Sequence, residues 1–236
     1  MNAHPEDLPG RLNEIRGRIA AAATRSGRSP EAITLIGVIK TVPLERIRQA
    51  FEAGLADVGQ NRVQETESVI AALGRGPARW HLIGHLQRNK STRALELFDR
   101  IQSLDSIELA QQLSRAASGR DRPLPALVQV NVSGEASKFG ITPQSLVPLL
   151  ERVRELPGLA VDGLMAIGTP VENPERARPE FARLRELRDA AERATGLALP
   201  QLSMGMSGDF EIAVEEGSTM VRVGTALFGA RSTSGR

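Results

Sequence analysis

From residue 34 to residue 228 the chain alternates short, branched apolar runs with amphipathic segments, and the alternation repeats eight times. This rhythm limits the fold more than any other feature, because strands separated by helical crossovers build a parallel sheet. Strand-like runs fall at 34–39, 56–59, 79–83, 101–104, 127–132, 159–167, 201–204 and 220–223. Helix-like segments follow at 44–53, 63–73, 89–97, 106–117, 142–156, 174–195 and 207–216, with a last turn at 226–228. Eight such repeats in about 200 residues match a (β/α)8 barrel, with a doubly wound open sheet as the alternative. A further helix at 8–26 places Leu12, Ile15, Ile19 and Ala22 on one face, and Gly27 is suited to end it. The expected organisation is an N-terminal helix packed on the barrel (1–30), the barrel itself (31–231) and a short tail (232–236). Pro148 inside 142–156 predicts a late start or a kink in that helix.

Composition narrows the function classes. The 236 residues are 41% hydrophobic and 25% charged, as in an ordinary soluble domain. Net charge is +2 although the isoelectric point is about 9.6. Both values hold because no Cys or Tyr titrates between His and Lys, so the high value is a weak argument for nucleic-acid binding. The lack of Cys excludes disulfides, thiolate nucleophiles and Cys-ligated metals, and it fits a reducing cytoplasm. No stretch reaches the length of a membrane span, and the polar start lacks a signal-peptide apolar region.

In a barrel of this kind, functional residues sit at the carboxyl ends of the strands. The first run, Leu35-Ile36-Gly37-Val38-Ile39, ends in Lys40, and Thr41-Val42-Pro43 breaks it. Lysine is rarely buried alone. Lys40 is therefore either a desolvated amine with a lowered pKa, able to form a Schiff base, or a lysine already in solvent past the strand end. Polar, glycine-rich stretches also follow the other strands. They include Gly59-Gln60-Asn61-Arg62, His81 through Lys90, Asn131 through Gly140, Ser203-Met204-Gly205-Met206-Ser207 and Arg222-Val223-Gly224-Thr225. Phosphates in barrels are often held after strands seven and eight. There Gly224 and Thr225 offer backbone amides and a hydroxyl, and Ser203 and Ser207 offer further hydroxyls. Arg222 reaches a ligand if it faces inward and is a solvated salt-bridge partner if it faces outward. A lysine and a phosphate cradle at one barrel mouth suit a phosphorylated aldehyde, and pyridoxal 5′-phosphate is the obvious candidate.

Seven blocks in order carry a resemblance to a known family. They are Val38-Ile39-Lys40-Thr41; Asn61 with Val63-Gln64-Glu65; Trp80-His81 through Gly84 with Leu86-Gln87 and Asn89-Lys90; Ser137-Lys138 before Gly140; Gly163-Leu164-Met165-Ala166-Ile167; Leu202 through Ser207; and Arg222 through Arg231. On these the chain closely resembles the pyridoxal phosphate homeostasis proteins (YggS/PROSC type), which are related to the amino-terminal barrel of alanine racemases. The resemblance implies a single barrel that holds pyridoxal phosphate as an aldimine on Lys40. It implies phosphate contacts from Ser203, Gly224 and Thr225, and Arg222 near the pyridine nitrogen. Asn61, His81, Met165, Met204 and Ser207 complete the candidate cofactor-binding set, with no catalytic residue and no metal ligand assigned. Arginine only donates hydrogen bonds, so the ring nitrogen beside it would stay unprotonated and the ring would be a poorer electron sink. The chain departs from the family at His85, where Pro is usual, and at Gln60 and Arg62, where Glu and Tyr are usual. His85 is then a surface residue or a change to the pocket rim, and any stacking role at Arg62 is in doubt.

The racemases are expected to use a lysine and a tyrosine as opposed bases, the tyrosine coming from a second domain of the partner subunit. This sequence has no Tyr, and the chain is expected to lack that domain. His81 could act as a base or be a hydrogen-bonded wall residue. The leading expectation is a cytoplasmic, monomeric pyridoxal phosphate carrier that supplies pyridoxal phosphate-dependent apoenzymes, with no nucleic-acid or membrane partner. The alternatives are a pyridoxal phosphate enzyme, such as a weak racemase or decarboxylase, and a cofactor-free lyase using Lys40.

Overall fold

The computed structural model describes residues 7–135 and 137–229. The polar start, Ala136, the end of the last sequence block and the expected tail at 232–236 lie outside the described residues. Eight parallel strands close into one barrel in chain order. They are β1 Thr34–Val38, β2 Asp57–Gln60, β3 Arg79–Leu82, β4 Arg100–Leu104, β5 Leu124–Gln129, β6 Leu159–Met165, β7 Gln201–Ser203 and β8 Met220–Val223. Pairing of Thr34 through Gly37 with Met220 through Val223 closes the ring, so the open sheet is excluded. Helix α1 Leu8–Arg25 precedes the barrel. The crossovers are α2 Leu44–Glu52, α3 Val63–Leu73, α4 Ser91–Leu97, α5 Ile107–Ala116, α6 Leu146–Val153, α7 Arg178–Thr195 and α8 Phe210–Glu215, and α9 Thr225–Phe228 follows β8. Among the described residues no helix is long and apolar enough to cross a membrane.

Strand side chains alternate between two environments. Val58, Trp80, Leu82, Ile101, Val128, Leu164, Leu202, Val221 and Val223 face outward into the main core under the helices. Ile36, Leu127, Met165 and Met220 form a separate apolar plug inside the ring. Helix α1 buries Leu8, Leu12, Ile15, Ile19, Ala22 and Ala23. It packs on α8 and α9, across the seam where the barrel closes.

The elements differ from the sequence pattern where proline misleads. Strand β5 runs from Leu124, three residues before the expected start, because Pro125 reads as a breaker. Leu124 N donates to Gly158 O on the β6 side. Residues of a parallel strand alternate sides, so the nitrogen of Pro125 faces β4, whose pairing begins only at Ala126, and no ladder bond is lost. Helix α6 starts late, after a tight turn at Pro143–Ser145. Pro148 then lies in its first turn, where the missing N–H has no helical partner to lose. Pro179 is accommodated in the same way at the start of α7.

Candidate functional site

The site assembles at the seam between β8 and β1. Strand β1 ends at Val38, and Ile39 N still donates to Gly59 O at 3.0 Å. The Ile39 side chain is buried, so the chain turns Lys40 outward and leaves it exposed. Lys40 is thus exposed past the strand end, so enclosure in an apolar wall is not what would prepare its amine for a carbonyl; its place beside the loop after β8 is what the fold supplies. Val42 N closes a turn onto Ile39 O at 3.1 Å. Thr41 in that turn has φ +60°, the only positive φ among the described non-glycine residues. A β-branched residue in the left-handed region is strained, and such strain gathers at functional sites.

Gly224 follows β8 directly beside this strand. A Cβ at Gly224 would lie 3.5 Å from the Cβ of Val38, two residues before Lys40. The backbone amides of Gly224 and Ala226 both point at Ser207 Oγ, at 3.1 and 3.3 Å. Ser207 lies in the loop after β7, so loops seven and eight converge on a single oxygen. Two donors directed at one acceptor form a cradle that suits an anion, with the Ser207 hydroxyl as a third donor. Thr225 is exposed beside it. Ser207, Gly224 and Thr225 are therefore brought together at the mouth, one strand from Lys40.

Arg222 faces inward and is 4% exposed. Its Nη1 donates to Ser203 Oγ at 2.6 Å and its Nη2 to Ala166 O at 2.7 Å. Burial pushes the guanidinium pKa down to about 10, with Asp209 opposing. Burial likewise raises the carboxyl of Asp209, against a hydrogen bond from Met206 N and the charge of Arg222. Ser203 also meets Gln102 Oε1 at 2.6 Å. It is fully enclosed inside the ring rather than joined to the Ser207 cradle.

His81 lies within β3, with both ring nitrogens engaged. Its Nε2 is 2.9 Å from Asp57 Oδ1 and its Nδ1 is 3.0 Å from Gln102 Nε2. Burial raises the Asp57 carboxyl pKa, but hydrogen bonds from His81 and Arg79 outweigh it and hold the group below its ordinary 3.8. Met165 belongs to the apolar plug under the mouth. The side chain of Met204 packs in the outer core, so it is not brought to the site. Asn61 stands after β2, where its backbone lies so close to loop three that a Cβ on Gly84 would sit 2.4 Å from Asn61 O.

The family departures have physical places. Gln60 is buried, and its Oε1 accepts from Asn61 N at 2.7 Å, which shapes the loop. Arg62 is exposed and pairs with Glu65. His85 stands on the rim, where it stacks on Phe139 with ring centroids 4.4 Å apart and Nδ1 meets Asp105 Oδ2 at 2.9 Å. Lys138 ties loop five to loop six through Thr169 Oγ1 at 2.8 Å and pairs with Glu135 Oε1 of its own loop at 2.7 Å.

Three interior residues escape the sequence reading. They are Asp57, Gln102 and Gln129. Gln129 Nε2 donates to Phe139 O, which leaves Gln129 Oε1 buried without a donor among the described residues. Gln129 ends an otherwise apolar strand, and that is the signal that could have found it; β2 and β4 carry other polar residues, so nothing in their pattern marks Asp57 or Gln102.

An exposed amine after β1 and two amides after β8 that converge on a hydroxyl from the loop after β7 define a (β/α)8 barrel with lysine and hydrogen-bond donors gathered at one mouth. A family model described as alanine racemase, N-terminal domain, matches residues 11–232. The chain is 46% identical over 221 residues to a pyridoxal phosphate homeostasis protein of Aquifex aeolicus, covering 94% of this chain and 97% of the relative. It is 45% identical over 220 residues to one of Pseudomonas aeruginosa, covering 93% and 94%. Among solved structures, PipY of Synechococcus elongatus with PLP bound matches with a TM-score of 0.84 at 35% identity, covering 94% of this chain and all of that one. The chain belongs to the pyridoxal phosphate homeostasis protein family, built on the alanine racemase N-terminal barrel.

Proposed function

We propose that this chain holds pyridoxal 5′-phosphate covalently on Lys40 and acts in its intracellular homeostasis as a cytoplasmic, monomeric carrier that passes it to dependent apoenzymes without catalytic turnover. One observation carries the reading. Closure of β8 on β1 sets Lys40 beside a cradle of two amides and a hydroxyl. Pyridoxal phosphate, when bound, supplies a reactive aldehyde and an electron-withdrawing ring. The donor set fits it. The Ser207, Gly224 and Ala226 donors suit a phosphate, and Thr225 adds a hydroxyl. The Lys40 amine suits the aldehyde. Arg222 can only donate, which suits an unprotonated ring nitrogen. Ser203 supports Arg222 from below, Met165 floors the space, and Asn61 lines its β2 side. Met204 contributes only through backbone position.

The residues also favour holding over turnover. The sequence has no tyrosine to serve as a second base. His81 has both nitrogens committed to Asp57 and Gln102. The lack of cysteine suits a reducing compartment. The test is an absorption spectrum with and without added pyridoxal phosphate, followed by borohydride reduction and peptide mapping. The expected result is a reduced pyridoxyl group on Lys40 alone, lost in Lys40→Ala, with no steady amino-acid turnover at saturating cofactor. An adduct scattered over surface lysines would overturn the binding reading. Steady turnover that disappears in Lys40→Ala would replace the carrier with an enzyme.

A further inference from the structure

The interior of the barrel holds one continuous hydrogen-bonded chain. It runs from Ala166 O and Arg222 through Ser203, Gln102 and His81 to Asp57, with links of 2.7, 2.6, 2.6, 3.0 and 2.9 Å. Beyond Asp57 it reaches Arg79 at 2.8 Å, at the amino end of the barrel. There Asp57 and Arg79 line an open cleft of about 550 Å³ beneath α1. Of the members, Ser203, Gln102, His81, Asp57 and Arg222 are all buried, and Arg79 is the solvent-facing end.

The two ends fix the direction of every bond between them. Arg222 can only donate, so Ser203 Oγ accepts from it. The Ser203 hydroxyl hydrogen then goes to Gln102 Oε1. This places Gln102 Nε2 against His81 Nδ1 and beside Met220 Sδ at 3.6 Å. Nδ1 must accept, so the proton of a neutral His81 sits on Nε2 and is donated to the Asp57 carboxylate. Turning the Gln102 amide over would leave the Ser203 hydroxyl with no acceptor in the chain and set an oxygen against Met220 Sδ. A chain with a fixed donor at one end and an ionised acceptor at the other has one satisfied arrangement, and buried networks of that kind are rigid.

We infer that Asp57 is a positioning residue for Arg222, acting through His81, Gln102 and Ser203 to hold the guanidinium in the single orientation it presents to the ligand at the mouth. This rests on the cofactor reading above and deepens it. Asp57 itself touches no ligand. It lies at the other end of the barrel interior and sets the sense in which the intervening groups donate. Replacing it with asparagine keeps the shape but supplies a donor as well as an acceptor, so the chain can run in either sense: Ser203 still accepts from Arg222, but its hydroxyl hydrogen loses Gln102 Oε1 as a fixed acceptor and the support beneath the guanidinium is no longer held in one arrangement.

The chain has three histidines, which makes the tautomer directly readable. Protein labelled with nitrogen-15 histidine is examined by long-range nitrogen–proton correlation, first as wild type without cofactor. The expected result is a neutral His81 with its proton on Nε2. A proton on Nδ1, or an imidazolium at neutral pH, would overturn the proposal without any variant. Asp57→Asn is then loaded with pyridoxal phosphate. The expected results are a mixed or reversed His81 tautomer, a shifted absorption maximum of the Lys40-bound chromophore, and affinity weaker by about tenfold, the scale of one disrupted buried hydrogen bond. A changed tautomer with wild-type spectrum and affinity would overturn it. The wild type separates the two readings. If it forms no Lys40 adduct, the cofactor reading fails and this proposal fails with it. If the adduct forms and only the Asp57→Asn result is unchanged, this proposal alone fails.

Discussion

At the scale of single residues, the two positions that matter most differ in how far the sequence reveals them. Lys40 is conspicuous because a charge ends an apolar run, but the run does not tell whether the amine is enclosed. Burial of Ile39 decides that, by turning the next residue outward. The strain at Thr41 is invisible in the sequence, since nothing in Lys-Thr-Val-Pro announces a φ of +60°. Glycine adopts that conformation without strain. Thr41→Gly should therefore raise the free energy of unfolding by about 1 kcal/mol, the relieved strain exceeding the added freedom of the unfolded chain. Urea denaturation checks it. The same variant should form the Lys40 adduct more slowly, because the turn that aims the lysine becomes loose. Asp57 carries a pH prediction. Its folded pKa is held below 3.8, so its ion pairing stabilises the fold above that value and is lost as pH falls through the lower folded value. The stability gap between wild type and Asp57→Asn should be full at about pH 7 and shrink below about pH 4, measured by urea midpoints across that range.

At the scale of elements, the alternation of apolar runs and amphipathic segments was enough to count the strands, because each unit must bury a sheet face and a helix stripe. It did not place every boundary. Strand β5 was hidden by Pro125, whose tolerance depends on where β4 begins to pair, a fact held by another element. The cradle was legible as Gly-Thr and paired serines after strands seven and eight. Which serine does which task was not, because Ser203 and Ser207 look alike in sequence and differ in facing the ring interior or the mouth. Ser203 supports Arg222, whereas Ser207 gathers the amides of Gly224 and Ala226. Ser207→Ala should thus weaken pyridoxal phosphate binding by about tenfold, as expected for loss of a hydrogen bond to a charged group. Unphosphorylated pyridoxal should lose almost nothing. Titration of both ligands against both proteins measures it, and equal losses for the two would place Ser207 outside the phosphate site.

At the scale of the whole molecule, α1 holds the closing seam of the barrel. It covers α8 and α9, the two helices that follow the β7 and β8 loops, so it backs both halves of the cradle. Its polar side is stitched to the same region. Arg18 meets Glu211 at 2.9 Å and sits 4.7 Å over the ring of Phe210, and Arg25 meets Glu215 at 2.9 Å. Just past the helix, Arg28 donates to Val214 O and Ser218 O at 2.7 and 2.8 Å. The ion pairs of Arg18 and Arg25 are partly exposed and contribute little singly, the Arg28 hydrogen bonds add to them, and the apolar face carries the attachment. Leu12 is fully buried on that face. Leu12→Ala removes that contact and leaves a cavity, at a cost of about 2–5 kcal/mol. If α1 only adds stability, the variant should bind pyridoxal phosphate as the wild type does once folded, and cofactor should raise its melting temperature by the same increment. The packing of α1 against α8 and α9 implies otherwise, because slack in that layer reaches the loops carrying Ser207 and Gly224. Affinity should fall along with stability, and the rise in melting temperature at a fixed cofactor concentration should be smaller than in wild type, since ligand stabilisation follows the logarithm of concentration over Kd. Thermal melts of both proteins over a series of cofactor concentrations separate the two outcomes.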